Sequence, residues 1–129
     1  MGSGNETVSG AELRVWVAWL GLTVANLAAL LDVAVDLSAG WVDGRVPVPG
    51  WVGETMEQFD AFTVAVVDEV IAALNDSADV AVHVYRDDQS MWAARPEFEP
   101  WPASWWLMVV ARATAEVPGA DIAYTPAGG

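Results

Sequence analysis

His83 is the one histidine of a chain that carries 18 carboxylates, 5 arginines, no lysine and no cysteine. A Ser-His-Asp relay or a histidine metal cluster would have to be built around this side chain alone. The absence of cysteine excludes disulfides, thiolate zinc sites and cysteine nucleophiles together. His83 lies on the face of Ala81 and Tyr85 in a stretch that alternates with Val80, Val82 and Val84. There it reads either as a hydrogen-bonded strand histidine or as a general base, and it is the only catalytic candidate the chain offers.

The carboxylates are less specific. Asp32 and Asp36 stand one helical turn apart, and Glu54 and Glu57 nearly so, spacings that could gather oxygens for Mg²⁺ or Ca²⁺. No loop carries the Asp-rich run, glycine and closing glutamate of a calcium site, so we expect no metal and no cofactor. A glycosidase pair could be nominated from any of the 18 acids, which makes that signal worthless. Gly40, Gly44, Gly50 and Gly53 match neither a phosphate loop nor a dinucleotide fingerprint. Asn5-Glu6-Thr7 and Asn75-Asp76-Ser77 match a glycosylation sequon, but the leading segment lacks the basic residues of a secretory signal.

Aromatic residues form the strongest local enrichment. Trp101, Trp105 and Trp106 cluster with Phe98, Met91 and Trp92, and a second tryptophan-rich segment holds Trp16 and Trp19. Three placements fit such a cluster: core beneath helices, a patch that anchors another subunit, or the wall of a pocket for an apolar or sugar ligand.

The elements that would hold these groups follow from periodicity. Ser9 and Glu12 have the spacing of a capping box, and from Leu13 to Leu37 the chain reads as one long helix with two apolar seams. Leu13, Trp16, Val17, Leu20, Val24, Leu27, Leu31 and Val35 form the first seam. Val15, Trp19, Leu22, Leu30, Val33 and Leu37 form the second, so two partners are required. Trp41 to Gly53, rich in proline and glycine, reads as turns around a short extended piece at Arg45 to Val48, with Trp41 and Trp51 as lids over the core. A second helix is expected from Glu54 to Asn75, with Glu54, Glu57 and Asp60 near its positive end. Val80 to Tyr85 alternates as a strand, and Met91 to Arg95 reads as its returning partner. Pro96 to Pro102 is too proline-rich for regular hydrogen bonding. The stretch from Ala103 to Val117 fits a helix through Trp105, Met108, Val109 and Arg112, or a strand through Arg112, Thr114 and Glu116; we take the strand. Ile122 to Thr125 is the last strand.

The expected fold is therefore α+β, two long helices packed on one face of a three- or four-stranded antiparallel sheet. Residues 11–125 would form a single domain, after a flexible segment 1–10 whose Met1, Gly2, Ser3 and Gly4 read as a cloning remnant, and before a flexible tail 126–129.

Composition bounds the role. With 129 residues, 54% of them hydrophobic, and eight tryptophans, apolar cargo is large for the surface available, which favours a face covered by another chain. A net charge of -13 disfavours nucleic acid and anionic membranes as partners. It suits solubility, a salt-adapted or high-GC host, a basic protein partner, or mimicry of DNA. Leu13 to Leu31 nears the length of a membrane span, but Thr23 and Asn26 interrupt it, Asp32 and Asp36 follow it, and no basic cluster orients it. We expect a soluble protein, cytoplasmic or bound in an assembly.

No stretch resembles a known family. The function read first is a non-enzymatic subunit that self-associates or docks into a larger assembly through Trp101, Trp105, Trp106, Phe98, Trp92, Trp16 and Trp19. The alternative is a cup-shaped domain binding an apolar small molecule in a tryptophan-lined pocket, with His83 and a carboxylate as acid and base. A third is an acidic inhibitor mimicking DNA, although the carboxylates are scattered rather than set in rows.

Overall fold

Ser9 and Glu12 cap the first helix as their spacing requires. In the computed structural model, which describes residues 8–77 and 81–125, the Glu12 amide donates to Ser9 Oγ at 3.0 Å and the Ser9 amide to Glu12 Oε1 at 2.9 Å. Of the segments expected to be flexible, 1–10 and 126–129, residues 1–7 and 126–129 lie outside the described residues, as does the strand position Val80, while Gly10 is already the first residue of a helix. The chain divides into two compact units, Met1–Phe62 and Thr63–Gly129.

In the first unit the expected long helix is three helices, α1 (Gly10–Trp19), α2 (Val24–Leu31) and α3 (Val35–Asp43). Gly21 breaks the run with φ 71°, a left-handed conformation that costs glycine no steric clash. Thr23 then restarts the helix with a capping box of its own: the Asn26 amide donates to Thr23 Oγ1 at 3.1 Å, and the Thr23 amide to Asn26 Oδ1 at 2.9 Å. Asp32, at φ 57°, ends α2 in the left-handed region that Asp tolerates better than most residues. Both apolar seams are cut by these breaks. Leu13, Val17, Leu20 and Leu27 of the first seam are buried but its Val35 is exposed, whereas Val15, Trp19 and Leu37 of the second face solvent and its Leu22 is buried.

α3 packs on α1 and α2. Ser38, fully buried, donates its hydroxyl to the Val24 carbonyl oxygen at 3.1 Å, satisfying a polar group the core would otherwise penalise. Gly10 lies where α1 meets the end of α3: a Cβ there would collide with the Trp41 carbonyl oxygen and stand 3.0 Å from the Gly44 nitrogen. The expected Trp41–Gly53 linker shrinks, because α3 runs through Asp43 and α4 (Gly50–Asp76) starts at Gly50; residues 44–49 form no strand. Trp41 is buried, and Trp51, half exposed, meets it edge to face with ring centroids 6.0 Å apart. Because α4 begins a full turn earlier than expected, Glu54 and Glu57 lie beyond its first turn.

The second unit holds the remainder of α4, β1 (Val82–Val84), α5 (Asp88–Ala94), a 3₁₀ turn at Pro96–Phe98, α6 (Ala103–Ala115) and β2 (Ile122–Tyr124). The antiparallel sheet of three or four strands is corrected: among the described residues there are two strands, paired in parallel with Val82 opposite Ile122 and Val84 opposite Tyr124. Parallel neighbours need a long crossover, and α5 and α6 supply it. The returning strand expected at Met91–Arg95 is helix, since the Asp87 carboxylate accepts from the Ser90 amide at 2.8 Å and starts α5. The strand expected over Ala103–Val117 is also helix. Trp105, Trp106, Val109, Val110 and Ala113 face inward on one helical stripe, and Thr114 returns its hydroxyl to the Val110 carbonyl at 2.8 Å instead of standing in a sheet. Pro102 cannot cap α6 with a side chain, so Asp88 does: its carboxylate accepts from the Ala103 amide at 2.7 Å. The protein is mainly helical with a small parallel strand pair, not α+β in the expected sense.

Among the described residues no single helix is long and apolar enough to cross a membrane. α1 and α2 reach that length and apolarity only together, across a bend of 94°.

Candidate functional site

The tryptophan cluster is interior. Trp105 is fully buried, and Trp101, Trp106 and Phe98 nearly so. Phe98 meets Trp105 at 5.1 Å between ring centroids, and Trp101 meets Trp105 at 4.7 Å. Buried indole N–H groups need acceptors, and three in this cluster have one: Trp105 Nε1 donates to Thr63 Oγ1 at 3.0 Å, Trp106 Nε1 to the His83 carbonyl at 2.8 Å, and the partly exposed Trp92 Nε1 to the Trp101 carbonyl at 2.8 Å. These residues contribute mainly to the interior of their unit, with Trp92 part-exposed at its edge.

Two concavities stand out among the described residues. In the first unit, Val15 and Trp19 stand one turn apart on α1, 68% and 55% exposed, with the half-buried Trp16 beside them. Together with Glu12 and Asp60 they line a shallow groove of about 400 Å³. The Trp19 indole N–H donates to Asp60 Oδ1 at 3.3 Å, which holds the ring in place. Glu12, at the other side, has its carboxyl held below the ordinary range by the Ser9 backbone amide it accepts from. The groove is thus an apolar floor between two carboxylates.

In the second unit, a half-open cleft of about 380 Å³ is walled by Val66, Val70, Ala73 and Leu74 of α4, Val82 of β1, and Trp106 of α6. Four polar side chains line it: Glu69, His83, Tyr85 and Arg95. His83, the sequence candidate, is exposed between the buried Val82 and Val84, so β1 alternates as expected. Tyr85, just past the end of β1, does not share that exposure. It is 8% exposed, and its hydroxyl makes no hydrogen bond among the described residues. Arg95 donates from Nε to Glu97 Oε2 at 2.8 Å, and its guanidinium stacks 4.6 Å from the Phe98 ring centroid and 5.5 Å from that of Trp106. That salt bridge holds the Glu97 carboxyl below its usual range. The remaining guanidinium N–H groups have no partner among the described residues.

Asp32 and Asp36 end one helix and begin the next, and no group of three metal-ligating side chains assembles among the described residues. Sequence reasoning named His83, Trp106, Trp16 and Trp19 but passed over Val15, Asp60, Tyr85 and Arg95. The spacing of Val15 and Trp19 on α1 was visible; the approach of Asp60, 41 residues away, was not. No protein-family model matches the chain, and no curated protein matches it.

Proposed function

We propose that the chain is a docking subunit that receives a basic, amphipathic segment of another protein in the groove of α1. The observation that carries this reading is the exposure of Val15 and Trp19 between the carboxylates of Glu12 and Asp60. Exposed apolar side chains rimmed by charge are a form that protein-binding patches take, and aromatic anchors dominate the energetics of such sites. Charge selects the partner. Two copies of a chain with net charge -13 would bring acidic rims together, so self-association is disfavoured, whereas Lys and Arg flanking an apolar anchor would meet Glu12 and Asp60.

A labelled helical peptide of Leu, Trp and Lys is a suitable probe, compared with one in which Ser replaces Leu and Trp at the same charge. Fluorescence anisotropy should give saturable binding to the first peptide only. Trp19→Ala and Val15→Ser, which leave the charge unchanged, should each weaken it by tenfold or more, and sedimentation of the protein alone should give the monomer mass. Equal affinity for both peptides, or no loss in either variant, would reject the groove as the docking site.

A further inference from the structure

The cleft of the second unit holds a feature that interior packing does not explain. Buried tyrosine hydroxyls normally find a partner, because an unsatisfied one loses its water without compensation. Tyr85 is more than nine-tenths buried, lines the cleft, and has no hydrogen bond to its hydroxyl among the described residues. On the same cleft Arg95 presents guanidinium N–H groups beyond the one given to Glu97. Its guanidinium carbon lies over the Phe98 ring at 4.6 Å and 5.5 Å from the Trp106 ring centroid, contacts to ring faces that use none of those donors. The walls are otherwise aliphatic or aromatic. A space of this size, apolar with a few convergent polar groups, is the common form of a small-molecule site. Tyr85 can donate its O–H and the part-exposed Arg95 its remaining N–H groups, so one oxygen acceptor would serve both, and a planar carboxylate is what a guanidinium fork accommodates best.

We propose that this cleft binds a small monocarboxylate with an apolar body, its head on Arg95 and Tyr85 and its body against Val66, Val70, Leu74 and Trp106. His83 stands at the exposed edge of the site, where it can hydrogen-bond a second oxygen. Glu69, also on the lining, sets a limit: it repels a second negative charge, which favours a monoanion over a dicarboxylate.

The probes are 3-phenylpropanoate and octanoate, each paired with its methyl ester, titrated by calorimetry and by amide chemical shifts. At least one acid should bind saturably and at least tenfold more tightly than its ester, with shifts centred on 82–85 and the second half of α4. Tyr85→Phe should weaken that acid fivefold or more while leaving the melting temperature of the free protein unchanged or higher, since the hydroxyl it removes has no partner among the described residues. A purely structural tyrosine would give the reverse, a lower melting temperature with unchanged affinity. Arg95→Lys, which keeps the charge but loses the fork, should weaken binding further. Absence of saturable binding up to millimolar acid, equal affinity for acid and ester, or shifts confined to other residues would overturn the proposal.

Discussion

Two segments of this chain carry tryptophans at similar density, residues 16–19 and 101–106, and they end in opposite environments. On α6 the indoles point inward, and the two most buried each donate to a named acceptor. On α1 Trp19 is 55% exposed, and its N–H reaches a carboxylate at the surface. Composition is nearly the same, so composition cannot be what decides. The difference lies in what else each helix buries. α6 has Val109, Val110 and Ala113 continuing the stripe begun by Trp105 and Trp106, a face wide enough to be covered. α1 buries Leu13 and Val17 and ends at Trp19, just before the left-handed Gly21, so a second apolar face has no further turn of α1 to extend it.

The strongest test of this contrast is paired truncation. Trp105→Ala should cost about 3–5 kcal/mol, as removal of large buried aromatics does, while Trp19→Ala should cost less than about 1 kcal/mol. Denaturant unfolding of both variants measures the difference. Comparable losses would mean that Trp19 is core and that the groove is no free surface.

A smaller effect probes why α1 stops where it does. Thr23→Ala removes the side-chain acceptor that restarts the helix after Gly21 and should cost about 1 kcal/mol. Retention of full stability would show that the bend between α1 and α2 is held by packing alone.

The smallest effect is the pH dependence of the exposed caps. Glu12, Asp87 and Glu97 all have carboxyls held below their ordinary values, the first two chiefly by a backbone amide and Glu97 by Arg95. A depressed folded value means that each contribution is present at neutral pH. It is lost as the pH falls through the ordinary carboxylate range to the lowered folded value. The melting-temperature gap between the wild type and Glu12→Gln should therefore be open at pH 7 and close on acidification. A gap independent of pH would show that the Glu12 charge takes no part in capping α1.

Local signals were legible in the sequence and long-range ones were not. The Ser9–Glu12 box, the helix through Phe59 and Leu74, and the strands at Val82–Val84 and Ile122–Tyr124 each rest on spacing within a few residues. Thr23 and Asn26 interrupt an apolar run in the sequence, although their spacing is that of a capping box with Asn in the place of Glu. The strand reading of 103–117 failed because Arg112, Thr114 and Glu116 alternate only at the exposed end of α6, whereas the buried residues keep helical spacing. The direction of the strand pair was inaccessible, because it depends on whether Met91–Arg95 turns back or continues as a crossover. At the cleft, His83 and Trp106 were visible by type. Tyr85 and Arg95 matter for hydrogen-bonding capacity that is unused among the described residues, and that cannot be read from a sequence.

Gly10 and Gly50 look alike in the sequence, each opening a helix, yet they differ in the substitutions they can accept. At Gly50 nothing lies within 4 Å of where a Cβ would stand, so alanine should be tolerated and gain a few tenths of a kcal/mol to about 1 from the lower entropy of the unfolded chain. At Gly10 every other residue type drives a carbon into the Trp41 carbonyl and the Gly44 backbone, neither of which has a rotamer with which to yield. Drift is thus open at one glycine and closed at the other. Any descendant with a side chain at position 10 must first have moved the start of α1 away from the end of α3.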